Sequence, residues 1–241
     1  MRTRTAALLA ALALAAAPAA ARAQYEPPTR EPTPWYLGGS VSYARPQGEF
    51  SHNVKQGFGG DLHAIYRLDQ AGIVGLRMDG AFVVYGDEHQ TVPLSSTIGG
   101  RVNVDLNTTN NIAFFGIGPQ LGVPTGRLRP YANGYVGVSY LFTESSVKGT
   151  SSGETFASST NYHDATFSWG GGAGLYVPLN RSSVSPVSLD LGLRYQNNGR
   201  ARYLRRGDIT DNPDNTITVH PRHSDTDLLT FQVGVSVGIS K

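Results

Sequence analysis

From Trp35 to the C-terminus the sequence alternates apolar and small polar residues one by one. In the last segment Leu229, Phe231, Val233, Val235, Val237 and Ile239 fall on one side of an extended chain. Thr230, Gln232, Gly234, Ser236, Gly238 and Ser240 fall on the other. Successive side chains of a strand point to opposite faces, so this segment is a ribbon with one apolar and one small polar face. Val187–Gln196 repeats it, with Val187, Leu189, Leu191, Leu193 and Tyr195 against Ser188, Asp190, Gly192, Arg194 and Gln196. The same alternation predicts strands over Trp35–Ala44, Phe58–Leu68, Ile73–Tyr85, Asn111–Val123, Pro130–Phe142 and Thr166–Val177, which makes eight in all. No segment of this region carries the 3.6-residue period of an amphipathic helix.

One stretch breaks phase. Val102, Val104 and Leu106 alternate on even positions, whereas Ala113, Phe115 and Ile117 are odd. A one-residue slip of this kind is what a β-bulge introduces, which places a bulge within Asn107–Asn111. Ile98–Leu106 then reads as the outer extension of the fourth strand, with a separate ninth strand as the competing reading.

The connections alternate in length. Arg45–Gly57, Gly86–Ser96, Thr143–Ala165 and Asn197–Thr226 are long and polar; Asp69–Gly72, Pro124–Arg129 and Pro178–Pro186 are short. Transmembrane barrels segregate loops this way, with short periplasmic turns and longer external loops. Face composition points the same way. A soluble, lipocalin-like barrel keeps a charged exterior, but here the polar face is mostly Gly and Ser with isolated Asp and Arg. Charged residues make up only 16% of the chain, against ~25% in ordinary soluble domains. The apolar strips, bordered by Trp35, Tyr43, Tyr66, Tyr85, Tyr140, Trp169 and Tyr195, read as a lipid-facing band with aromatic girdles. The expected fold is all-β: a single eight-stranded, antiparallel, up-and-down transmembrane β-barrel over residues 35–241.

Ahead of it lie two segments of another kind. Arg2 and Arg4, the Ala/Leu run Ala6–Ala17 and the small-x-small site Ala21-Arg22-Ala23 make residues 1–23 a cleavable signal peptide. The run is too short for a membrane-spanning helix, which needs ~20 apolar residues. Residues 24–34 carry prolines at 27, 28, 32 and 34 and read as an extended periplasmic spacer. The formal charge of +2 belongs to this precursor. Without Arg2, Arg4 and Arg22 the 20 basic residues become 17 against 18 acids, or −1. Such a chain has no basic footprint for nucleic acid. With no cysteine, disulfide scaffolds, thiolate metal sites and cysteine nucleophiles are excluded.

The signal peptide, the opening strand Trp35-Tyr36-Leu37-Gly38-Gly39-Ser40-Val41 and the closing strand Leu229–Ser240 together resemble the small OmpA/OmpX-like outer-membrane β-barrel proteins of Gram-negative-type bacteria. The resemblance implies residence in the outer membrane, contact with its lipids and lipopolysaccharide, and insertion by the outer-membrane assembly machinery. It names no extracellular partner.

Chemistry is sparse. There is no H-E-x-x-H and no G-x-S-x-G. His220-Pro221-Arg222-His223 lacks the three or four protein ligands a zinc site needs. Leu193-Arg194-Tyr195-Gln196-Asn197-Asn198-Gly199 is similar to the His-x-Ser-Asn segment of lipid A deacylase barrels. Here Tyr195 and Asn197 stand in place of the histidine base and the serine, and neither can supply that chemistry. No catalytic residue, metal or cofactor is expected. Arg200, Arg202, Arg205 and Arg206 form a dense basic patch at the outer rim, suited to lipopolysaccharide phosphates, because guanidinium forks match phosphate bidentately. Asp61, His63, Arg67, Arg77, Asp79, Asp190 and Arg194 fall on the polar face as a lumen charge network, since charges in a narrow lumen must pair with one another. The tight turn at Asp69–Gly72 sets a pairing in which positions sum to about 140. That puts His63 opposite Arg77 and Asp61 opposite Asp79, with Arg77 diagonal to Asp61. The expected role is non-enzymatic, structural or adhesive at the cell surface. A narrow solute channel is the alternative, and a lipid-A-modifying enzyme a further one.

Overall fold

The computed structural model describes residues 34–94, 103–149, 155–180, 182, 185–214 and 216–239. The expected signal peptide, nearly all of the expected Pro-rich spacer and residues 98–102 of the fourth strand's expected extension lie outside them. Eight strands close into one antiparallel barrel: β1 (Trp35–Pro46), β2 (Gly57–Arg67), β3 (Val74–Pro93), β4 (Asn103–Gly122), β5 (Arg129–Gly149), β6 (Thr155–Pro178), β7 (Val187–Asn198) and, after the short strands of the last loop, β12 (Leu228–Ile239). Each barrel strand pairs with its neighbour in sequence, and β1 pairs with β12 to shut the ring, from Trp35 opposite Ile239 to Pro46 opposite Leu228. A helical turn, α1 (Phe50–Asn53), lies between β1 and β2. Four short strands, β8 (Arg200–Tyr203), β9 (Ile209–Asp211), β10 (Ile217–Val219) and β11 (Arg222–Asp225), fold the segment between β7 and β12 into two two-stranded sheets, β9 with β10 and β8 with β11.

The alternation divides as its chemistry requires. Leu37, Val41, Leu62, Phe82, Phe115, Val136, Val138, Phe167, Val233 and Val235 are exposed on the outside, while Asp61, His63, Arg77, Asp79, Asp190 and Arg194 are buried inside. A lipid-facing exterior makes this the favourable arrangement; in water it would be inverted. Aromatic pairs border the apolar band: Trp35 with Tyr66 at 4.8 Å on the periplasmic side, and Tyr43 with Phe58 at 5.3 Å at the other end of the same strands.

Three expectations are corrected. Gly86–Ser96 and Thr143–Ala165 are largely strand, because β3, β5 and β6 continue to Pro93, to Gly149 and from Thr155. The barrel therefore carries a four-stranded sheet beyond the membrane. The phase break in β4 is not a bulge in β4 either. Its pairing with β5 runs unshifted from Val104 opposite Gly149 to Ile117 opposite Val136. Even-numbered residues face inward all along it. Inside the membrane band Phe115, Ile117 and Leu121 are the odd, outward ones, while Ile112 and Phe114 fill the lumen; above it Val104 is buried inside the sheet, because the outer surface there meets water. The apolar face changes sides while the backbone stays in register. A bulge does occur opposite, in β3 between Val84 and Gly86. Tyr85, expected in the aromatic girdle, is 8% exposed and points into the barrel.

Candidate functional site: the lumen and its outer stopper

The lumen fills in three layers. Nearest the periplasm is the charged one. Arg77 on β3 donates through Nε to both carboxylate oxygens of Asp79 at 2.8 and 3.0 Å, and through Nη1 to Gln120 Oε1 at 3.0 Å and Tyr176 Oη at 3.2 Å. Its guanidinium also lies 5.6 Å from the Tyr131 ring centre, and the Tyr131 hydroxyl donates to Asp190 at 2.8 Å. Arg194 on β7 binds Asp61 on β2 across the barrel and stacks on Phe114 at 5.1 Å; Gln232 donates to the same Asp61 oxygen at 2.8 Å. His63 lies between Ser236 Oγ, 3.4 Å from Nε2, and Asp190, 4.0 Å from Nδ1. Gly38 on the adjoining strand is what makes room for it, since a Cβ there would collide with the imidazole.

The β2–β3 register differs from the expected one by two residues. Positions sum to 142, so His63 faces Asp79, Ile65 faces Arg77 and Asp61 faces Ala81. The turn is longer than Asp69–Gly72 alone: Leu68 N–H still donates to Val74 O, and Asp69 caps it by accepting from Ile73 and Val74 N–H at 3.1 and 2.8 Å. Arg77 therefore serves Asp79 on its own strand, and Asp61 is held by Arg194 instead. Arg67 stands apart from these groups. It lies at the periplasmic mouth, over the Tyr36 ring at 4.4 Å.

Above the charges comes a neutral layer. Gln196 donates to Ser139 Oγ at 2.8 Å, Ser168 to Ser139 at 2.8 Å, Ser139 to Asn198 Oδ1 at 3.1 Å, and Asn198 Nδ2 to Thr226 O at 2.7 Å. The third layer is apolar. Phe50 of α1, Tyr85 of the β3 bulge and Tyr203 of β8 meet edge to face at 5.0–6.3 Å, a favourable aromatic arrangement. They pack with Ala44, Val54, Val83, Ile112, Leu141, Ala201 and Leu228 in the buried core cluster. The polar ends are satisfied: Tyr85 Oη donates to Leu204 O at 3.0 Å, and Asn53 Nδ2 to Tyr203 Oη at 2.9 Å. Two external loops thus fold down into the mouth and stopper it. Sequence reasoning missed Phe50, Tyr203 and Leu204, which lie in segments expected to be polar loops. The signal was present in Tyr203-Leu204, an apolar pair between arginines.

The outer basic patch is partly engaged. Asp208, buried in the last loop, accepts from Arg222 Nη2 at 3.0 Å and lies 3.5 Å from Arg205. The hydrogen bonds and charge of Asp208 hold the Arg222 guanidinium above its ordinary pKa. Arg200 is exposed opposite Asp225. Arg202 is exposed too, its backbone N–H donating to Asp164 at 2.7 Å, and so is Arg206. Tyr195 and Asn197 both donate to Asp227, at 3.2 and 3.5 Å, and so brace the rim of β7.

A closed ring of eight strands, apolar outside and charged inside, defines a transmembrane β-barrel. Residues 6–238 match the family described as the outer membrane protein beta-barrel domain. The chain belongs to that family and is a protein of the bacterial outer membrane. No curated protein matches the sequence. Among solved structures it is similar to Ail of Yersinia pestis, at 14% identity over 84% of this chain and 96% of that one, with a TM-score of 0.43. It is also similar to OprG of Pseudomonas aeruginosa, at 12% identity over 86% and 96%, TM-score 0.45. Neisserial surface protein A is similar at 16% identity over 85% and 97%, TM-score 0.40.

Proposed function

We propose that the protein is a stoppered, non-conducting barrel without catalytic activity, a structural or adhesive element of the envelope that acts through its external sheet and last loop. The observation that supports this reading is the apolar stopper of Phe50, Tyr85 and Tyr203 above a lumen of paired charges. Ions crossing such a path would have to displace packed rings and break buried ion pairs, and breaking one such pair typically costs ~3–5 kcal/mol. In this reading residues 1–23 are removed, residues 24–34 form a periplasmic tail and the barrel starts at Trp35. Arg200, Arg202 and Arg206, none with a carboxylate within ion-pair distance among the described residues, are the proposed contacts to lipopolysaccharide phosphates. Arg205 contributes less, because Asp208 engages it.

Planar-bilayer recording tests the reading. The purified protein is expected to give no conductance steps; regular steps would make it a narrow channel. Hydrolysis of lipid substrates in detergent micelles would refute the non-enzymatic part. Replacing Arg200, Arg202 and Arg206 together by Gln is expected to weaken lipopolysaccharide binding, and unchanged binding would remove the patch from the account.

A further inference from the structure

The periplasmic mouth differs from the lumen above it. Arg77 and Arg194 each have a carboxylate of their own, but Arg67, Arg127 and Arg129 form no ion pair among the described residues. Asp69 is the one acid on this rim among the described residues, and two backbone N–H groups already occupy its carboxylate. Arg67 and Arg129 line one small cavity of about 50 Å³ with Tyr36, Tyr131 and Tyr176. Arg129 and Ser188 also line an adjoining groove of about 600 Å³ that opens beside Arg127, Pro178, Leu179 and Pro186. That volume falls within the ~300–1,000 Å³ of ligand clefts. Among the described residues the Arg129 side chain makes one hydrogen bond, from Nε to Gly126 O at 3.2 Å. Three guanidiniums thus surround a mixed apolar and polar mouth that has charge to spare.

The chain holds a segment of matching chemistry next to this mouth. Pro34 O accepts from the Arg67 backbone N–H at 2.9 Å, so the tail leaves the barrel beside Arg67. The tail Gln24-Tyr25-Glu26-Pro27-Pro28-Thr29-Arg30-Glu31-Pro32-Thr33 carries two acids against one base, Arg30, and three prolines. Proline-rich chain extends by ~3.1 Å per residue, which sets Glu31 ~9 Å and Glu26 ~25 Å from Pro34. Eight strands ~4.8 Å apart and tilted ~40° enclose a backbone ring ~16 Å across. Glu31 therefore reaches Arg67 on β2, and Glu26 reaches Arg127 and Arg129 on the far side at β5. Proline also restricts the free tail, so docking loses less conformational entropy than it would for a flexible chain.

We propose that the tail, residues 24–33, docks across the periplasmic mouth, with Glu31 on Arg67, Glu26 on Arg127 and Arg129, and its prolines against Pro178, Leu179 and Pro186. The inference rests on the reading that residues 24–34 remain on the mature protein.

The native chain has no cysteine, so spin labels on Thr29→Cys and Thr125→Cys report one distance. In the mature protein in neutral detergent micelles at low salt, that distance distribution is expected to be narrow. Adding Glu26→Gln and Glu31→Gln together is expected to broaden it at least twofold while leaving the barrel's unfolding transition unchanged. A broad distribution in the unsubstituted tail overturns the proposal, as does a narrow one indifferent to the two glutamates. A distribution narrow in micelles but broad in phosphatidylglycerol vesicles also overturns it, because the arginines would then be taking lipid phosphate. N-terminal sequencing of exported protein separates the underlying reading: a first residue beyond Pro34 would mean that no tail exists to dock.

Discussion

Arg77→Met isolates the energetics of the lumen. The substitution keeps an unbranched apolar stem and removes every polar contact of the guanidinium. Asp79, 2% exposed, loses both of its bonds to Arg77 Nε. Gln120 Oε1 and the Tyr176 hydroxyl lose their donor. Removing one partner of a buried ion pair typically costs ~3–5 kcal/mol. The orphaned amide and hydroxyl oxygens push the value toward the upper end, since each unsatisfied buried group costs ~1–3 kcal/mol. Taking ~4 kcal/mol and a urea slope of ~2 kcal/mol/M, the unfolding midpoint should fall by ~2 M. Reversible unfolding in lipid vesicles, followed by fluorescence of Trp35 and Trp169, measures it. Arg77→Met with Asp79→Leu should recover most of the loss, because no stranded charge remains. Arg206→Met, on the outer rim, should change stability by less than ~0.5 kcal/mol. A cost below ~1 kcal/mol for Arg77→Met, or a double variant no more stable than the single one, would refute the sealed lumen. Water would then be solvating Asp79, as in an open pore.

The face assignment predicts that Val235→Arg, on the lipid side, costs ~2–4 kcal/mol, whereas Ser236→Ala, facing His63 inside, costs less than ~1 kcal/mol; urea unfolding of the pair decides, and reversed effects would place the apolar face inward. Tyr203→Ala removes a ring from the stopper at a cost of ~3–5 kcal/mol, so the last loop should loosen and trypsin should cleave faster at Arg200–Arg206. Unaltered cleavage would mean that the ring does not hold the loop. Exported protein is expected to begin at Gln24 on N-terminal sequencing and to sediment with the outer-membrane fraction.

Much of the architecture was legible because lipid and lumen impose opposite demands on alternate residues. Each membrane-crossing segment records this without reference to its neighbours, so eight strands followed from local pattern alone. The external sheet was not legible for the same reason. Where water replaces lipid, Val104 and Leu106 turn inward, and the reversal imitates a slip in the backbone. Register was nearly readable, and the error in β2–β3 came from the turn, where Asp69 organises Ile73 and Val74 into a wider connection than a tight turn at Asp69–Gly72 implied. Of the charged residues read as one set, Arg67 lies apart at the mouth, and the partners of the others were not visible. Asp61 and Arg194 are 133 residues apart, and only closure of the ring brings them together. The stopper depends on closure in the same way, which is why Phe50 and Tyr203 looked like loop residues.

The seam between β1 and β12 constrains how the protein assembles. β1 is synthesised first, yet one of its edges stays unpaired until β12 arrives, opposite it residue for residue. In hydrocarbon each unpaired backbone group is penalised by several kcal/mol, so strands cannot enter the bilayer one at a time and wait there. A long-lived open edge in water invites pairing with the wrong chain. Insertion and ring closure must therefore be one concerted event, slow because it joins the two most distant parts of the chain.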